Sequence, residues 1–219
     1  MPALLFGSIS TIADTSELQR ESFNEAFAAH DLDWRWETDD YREMLRGNGG
    51  ADRIASYAAE RGQDVDAAAV HATKSELFQR KALAGGLVAR PGVVDLVRTA
   101  KAAGGKVALV TTTSPANIAA LLQGTDGVQP EDFDLVVDNS VVSESKPDPA
   151  AYAYALQTLG EDAADAVAVE DNVGGVESAT AAGVTCLAFP NANTAGHDFG
   201  GARVVDRLDP SDLPTGLQA

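Results

Sequence analysis

Apolar residues fall into two rhythms along this chain. Short unbroken runs at Ala3 to Phe6, Lys106 to Val110, Leu135 to Val137, Ala166 to Val169 and Thr185 to Phe189 read as strands covered on both faces. Between them, apolar positions recur at helical spacing over Gly92 to Ala103, Pro115 to Leu122, Pro149 to Leu159 and Gly174 to Ala182. This alternation predicts an α/β fold with a parallel sheet. Pro115 and Pro149 suit a first helical turn, where an N–H would lack a partner anyway, and Gly183 suits the stop of the helix before the last strand.

Residues 16 to 84 break the alternation. They hold no strand-like run, while Leu18, Phe23, Ala26 and Phe27, and then Ile54, Tyr57 and Ala58, repeat at helical spacing. The segment reads as a helical cap domain (16–84) inserted after the first strand. Residues 1–15 and 85–219 then form the core domain, with Leu87 to Gly92 as the return linker. Trp34 and Trp36 read as cap core or as an interface.

Composition narrows the function. The formal net charge is −17, which argues against nucleic acid or an acidic membrane as partner. The same surface suits a salt-rich cytoplasm. No apolar run approaches the ~20 residues that span a bilayer. Cys186 is the single cysteine, so no internal disulfide forms and the expected location is cytoplasmic.

Four short segments stand at the ends of predicted strands, where open parallel sheets bind ligands. They are Gly7 to Thr11, Thr111 to Ser114, Ser145 to Pro149, and Glu170 to Asn172. Thr111 precedes a helix start, a place suited to phosphate and equally to a simple cap. Lys146 offers a cation to phosphate or carboxylate, or is a surface lysine. Glu170 and Asp171 offer hard oxygen to Mg²⁺, or are a solvated strand end.

Taken together, these segments resemble the haloacid dehalogenase superfamily. Within it they resemble the beta-phosphoglucomutase group, and especially the sugar-bisphosphate phosphatases of Calvin-cycle operons. The resemblance is carried by Ala13 to Leu18, Phe23 to Phe27, Asp33 to Trp36, Gly49-Gly50, Arg53-Ile54 and Arg90-Pro91-Gly92. Val110 to Asn117, Lys146 to Pro149 and Val169 to Asn172 complete it. It implies a Rossmann-like core with a helical cap, an aspartate nucleophile, a second aspartate as general acid and base, and Mg²⁺. By position it assigns Thr111, Thr112 and Lys146 to phosphate, Glu170 and Asp171 to metal, and Gln19, Gly49, Gly50 and Arg53 to the substrate side of the cap.

One motif departs. The family's Asp-x-Asp-Gly-Thr reads Gly7-Ser8-Ile9-Ser10-Thr11 here, so both aspartate positions, Gly7 and Ile9, are vacant. A nucleophile must sit at reacting distance, and a placed acid or base is worth about 10²–10⁴-fold. The leading expectation is a catalytically inactive or impaired protein of hydrolase fold that keeps a phosphorylated small-molecule ligand. A phosphatase or phosphomutase with an unrecognised nucleophile and a scaffold for a protein partner are the alternatives. Without a carboxylate at Gly7 the metal site is expected to be weak, and Lys146 is expected to pair with Glu170 or Asp171. Asp14 is expected to point away toward the hinge.

Overall fold

The computed structural model describes residues 2–45 and 49–218. Strand β1 (Ala3–Phe6) leads into one helical turn, α1 (Ile9–Ile12), and then into α2 (Ser16–Ala29), α3 (Thr38–Met44), α4 (Gly50–Glu60) and α5 (Ala67–Leu83). The chain returns through β2 (Leu87–Val88), α6 (Val93–Ala102), β3 (Lys106–Val110), α7 (Pro115–Gly124), β4 (Thr125–Asp126) and β5 (Leu135–Val137). It ends with α8 (Ala150–Leu159), β6 (Ala166–Glu170), α9 (Val173–Ala181), β7 (Thr185–Ala188) and β8 (Arg203–Val204).

Six strands form a parallel sheet in the order β5-β3-β1-β6-β7-β8. The chain winds outward from β1 in one direction and then crosses to the other side at β6, so the crevice above β1 is the switch point of the sheet. The two-residue period of a strand sorts the side chains. Leu4 and Phe6 of β1, with Val167 and Val169 of β6, enter the cluster that also holds residues of α6 and α7. Ala3 and Leu5, with Ala166 and Ala168, enter the cluster on the α8 and α9 face. Gly7 and Glu170 continue this second series and therefore face α8.

Helices α2 to α5 gather around aromatic residues of their own. Phe23, Phe27, Trp34, Trp36 and Tyr41 are buried together with Ile54 and Val70, and the Phe27–Trp36 and Trp34–Tyr57 ring pairs meet edge-on at 4.7 and 5.0 Å. The two tryptophans thus belong to the core of this helical layer. Helix α5 serves both layers: Val70 lies in the aromatic cluster, whereas Phe78 and Ala82 belong to the main core under the sheet.

The sequence pattern misses several details. The first motif, read as a loop, contains a turn of helix in which Ser8 accepts from the Ser10 N–H and Thr11 donates its hydroxyl to the Ser8 carbonyl at 2.6 Å. Strands β2, β4 and β8 are two residues each, too short for a period to register. Pro149 sits at the cap position just before α8, one residue earlier than its expected place.

Close packing of α5 on α7 depends on Gly124. A Cβ there would stand 2.0 Å from the Ala82 carbonyl oxygen. Gly124→Ala should therefore lower unfolding stability by about 1–3 kcal/mol, as overpacking does, measured by urea denaturation. An unchanged midpoint would show that the two helices separate at no cost.

Candidate functional site

The carboxyl ends of β1, β3 and β6 are tied together by one buried ammonium. Lys146 Nζ donates to the Gly7 carbonyl, to the Val110 carbonyl at 2.7 Å and to Glu170 Oε1 at 2.5 Å. Tyr152 of α8 donates its hydroxyl to the same carboxylate oxygen at 2.8 Å. The expected pairing of Lys146 with an acidic residue is thus found at Glu170. Burial raises the Glu170 pKa, Lys146 pulls it back and neighbouring Asp171 pushes it up again; the net direction is upward. Among the described residues, Glu170 Oε2 has no hydrogen-bond partner.

This cluster fills the space at position 7. A Cβ on Gly7 would lie 2.0 Å from Glu170 Oε1 and 2.2 Å from the Tyr152 hydroxyl oxygen, and a Cβ on Gly175 of α9 would lie 2.2 Å from the same carboxyl group. The two glycines make room for an inward-turned Glu170. At position 9 the vacancy is of another kind. Ile9 is buried in the main core cluster and presents hydrocarbon to the cavity above it.

That cavity, about 510 Å³, lies between the strand ends and the helical layer. Its sheet-side wall is made of hydroxyls and amides: Ser8 and Ser10 of the first motif, Thr111 to Ser114, Asn117, Asn172 and Asn191. Ser114 caps α7 by accepting from the Asn117 N–H, and Asn117 donates to Thr113 Oγ1 at 2.9 Å. The positive end of α7 is thereby aimed into the cavity. Asp171 also lines this wall; its two carboxylate oxygens accept from Asn172 at 2.9 Å and Asn191 at 2.7 Å.

The opposite wall carries nitrogen side chains together with one acid, Glu76. Arg53, Lys74 and His71 line it beside Gln19 and the Gly49-Gly50 turn. Gly50 lies tightly against His71: a Cβ there would come within 2.4 Å of the imidazole. Lys74 is buried, donates to Gln19 Oε1 at 2.8 Å and lies over the Phe23 and Phe78 rings at 4.7 and 5.4 Å. Burial, reinforced by Arg53, pulls the Lys74 pKa down to about 7. Burial, with Lys74 and Arg53, pulls His71 down to about 4, against the attraction of Asp52.

The expected site residues therefore divide. Thr111, Thr112, Asp171, Ile9, Gln19, Gly49, Gly50 and Arg53 meet around the cavity. Gly7, Lys146 and Glu170 lie together in the floor behind it and are absent from its lining. Asp14 accepts from Ser16 and from the Ala192 N–H, at the junction of the layers. Burial opposes ionisation there, but these hydrogen bonds prevail and its pKa is lowered. His30 contacts Thr73, and His197 contacts the Arg42 carbonyl. Lys74 and His71 carry no motif and escape the sequence reading; their signal is a helical spacing of three on one face of α5.

The family implies Mg²⁺, so the available donors decide whether one fits. A hard divalent cation takes several oxygens. Glu170 already spends one oxygen on Lys146 and Tyr152, Asp171 spends both on asparagine amides, and position 7 supplies none. Among the described residues no three His, Cys, Asp or Glu side chains converge. As arranged, these residues do not fit a resident Mg²⁺.

The fold and the place of the cavity are those of the haloacid dehalogenase-like family, and the chain belongs to it: the family's model, described as haloacid dehalogenase-like hydrolase, matches residues 2–183. More particularly, the chain is similar to the protein CbbY of Cereibacter sphaeroides, 39% identical over 210 residues that cover 94% of this chain and 90% of the relative. A CBBY-like protein of Arabidopsis thaliana is 35% identical, covering 93% and 67% of the two chains. The crystal structure of CbbY from Rhodobacter sphaeroides in complex with phosphate superposes with a TM-score of 0.89 at 38% identity over 99% of both chains. A point mutant of that protein, in complex with xylulose-(1,5)-bisphosphate, gives 0.89 at 37% identity over 100% of both.

Two measurements probe the electrostatics. Lys146→Met leaves Glu170 uncompensated and should cost about 3–5 kcal/mol of unfolding free energy; the double variant Lys146→Met/Glu170→Leu should regain most of it. Lys74 titrates near 7 in the folded chain and at its ordinary 10.5 when unfolded. Between those values the unfolded state holds more protons, so the Lys74 contribution to stability grows as pH rises from 7 to 10 and is lost as pH falls through 7. Urea midpoints across that range should rise less in Lys74→Met than in the parent chain; parallel slopes would place the lysine's ordinary pKa in the fold.

Proposed function

We propose that this chain binds a phosphorylated sugar in the cavity between its helical cap and its sheet, and does not hydrolyse it through an aspartyl-phosphate. The observation that carries the reading is at position 7. No side chain is available to attack phosphorus, and the space an aspartate would use is occupied by Glu170 and Tyr152. At position 9 an isoleucine stands in the core, so no acid replaces the second aspartate.

Binding is supported by the two walls. The amino end of α7 with the hydroxyls of Thr111 to Ser114 favours one anion; the Arg53 guanidinium favours another across the cavity. A ligand with a phosphate at each end suits that arrangement, and a mutant relative holds xylulose-(1,5)-bisphosphate. In this reading Thr111 and Thr112 hold one phosphate, while Arg53, Gln19 and the Gly49-Gly50 turn hold the sugar and the second phosphate. Lys146 and Glu170 maintain the floor.

The test compares turnover and binding in one set of proteins. The parent chain should release phosphate from p-nitrophenyl phosphate and sugar phosphates, with Mg²⁺ present, at least about 10²-fold more slowly than a Gly7→Asp/Ile9→Asp/Tyr152→Phe variant. The third substitution removes one of the two groups that a new Cβ would meet; Glu170 must turn away from Lys146 to clear the other. Xylulose 1,5-bisphosphate should raise the parent's melting temperature, and Arg53→Gln should diminish that rise. Measurable Mg²⁺-dependent turnover by the parent chain that equals or exceeds the triple variant's would overturn the reading.

A further inference from the structure

We infer that Lys74 is a carbonyl-reactive amine, which forms an imine with a small aldehyde or ketone, preferably a phosphorylated one, that enters the cavity. The geometry is that of a nucleophile rather than of a salt-bridged cation. Its side chain rises from the middle of α5 into the cavity wall and is 4% exposed. Its hydrogen-bond partner is the neutral amide oxygen of Gln19 at 2.8 Å. Among the described residues no carboxylate lies in ion-pair contact with it, and the charged group acting on it is Arg53, of like sign. The Phe23 and Phe78 rings complete an apolar seat. The rings attract an ammonium, but burial and Arg53 outweigh them and bring the pKa to about 7. Desolvation beside a second cation is a recognised way of activating a lysine.

The chemistry closes without another reactant. The amine lone pair attacks the carbonyl carbon and gives a carbinolamine. The two N–H hydrogens then leave with the former carbonyl oxygen as water, and a C=N bond remains. Nothing is oxidised or reduced. The amine's reactivity is independent of the binding proposal above; the preference for a phosphorylated carbonyl compound rests on it, through Arg53 and the wall at α7.

The other four lysines serve as internal standards. Lys81 is paired with Glu21 and Glu25, Lys101 caps backbone carbonyls at the surface, Lys106 lies in β3, and Lys146 is enclosed with Glu170. The full chain would be treated near pH 7.5 with limiting pyridoxal 5′-phosphate or with unphosphorylated pyridoxal, reduced with borohydride and mapped by peptide mass spectrometry. Each unit by which a pKa falls raises the neutral fraction about tenfold, so label should favour Lys74 over Lys101 by roughly tenfold or more. Inorganic phosphate should protect against pyridoxal 5′-phosphate, and Lys74→Arg should lose the modification. Labelling of Lys81, Lys101 or Lys106 with Lys74 unmodified in the parent chain would overturn the inference, with no variant needed. Equal labelling of Lys74 by both aldehydes, unaffected by phosphate, would uphold the amine and remove the phosphate reading instead.

Discussion

The ammonium of Lys146 is the constraint on which the site depends. It reaches the ends of two strands through the Gly7 and Val110 carbonyls and a third through Glu170. A buried charge requires a partner and saturated hydrogen bonds, and here the backbone supplies what the carboxylate does not. Because Glu170 turns inward to meet it, Gly7 and Gly175 must lack side chains. The floor is therefore a set of mutually dependent choices: lysine, glutamate, tyrosine and two glycines.

Under the proposed function, that dependence is what separates family membership from the family's chemistry. Lys146 and Glu170 satisfy one another, while the Asp171 oxygens are held by the Asn172 and Asn191 amides. The hydroxyls and amides at the start of α7 belong to the layer above, where Arg53 and Lys74 face them from the helices. In a chain of net charge −17, the Arg53 guanidinium and the amino end of α7 give the cavity a locally positive character.

Much of this was visible in the sequence. Five strands announced themselves because a central parallel strand is apolar on both faces and leaves an uninterrupted run. The lysine-to-acid pairing followed from the charge count once the aspartates were absent. Other features have no local signal. Whether Glu170 faces a cavity or a floor depends on the volume left at residues 7, 152 and 175, which are distant in sequence and adjacent only after folding. Lys74 and His71 read as ordinary positions of an amphipathic helix, because the direction in which α5 turns is set by packing of Phe78 and Ala82 under the sheet. Two-residue strands and a single helical turn are shorter than any periodicity that could reveal them.

Helix α5 has a mechanical consequence. Lys74 and Ala82 are eight residues apart, about 12 Å along a rigid rod, with one end at the cavity and the other set into the main core. Gln79 adds a 2.9 Å hydrogen bond to Asn117 beside the amino end of α7. A swing of the helical layer about its two connecting segments would lever Phe78 out of its seat. Access to the cavity is therefore coupled to packing beneath the sheet, because α5 (Ala67–Leu83) runs unbroken from one to the other.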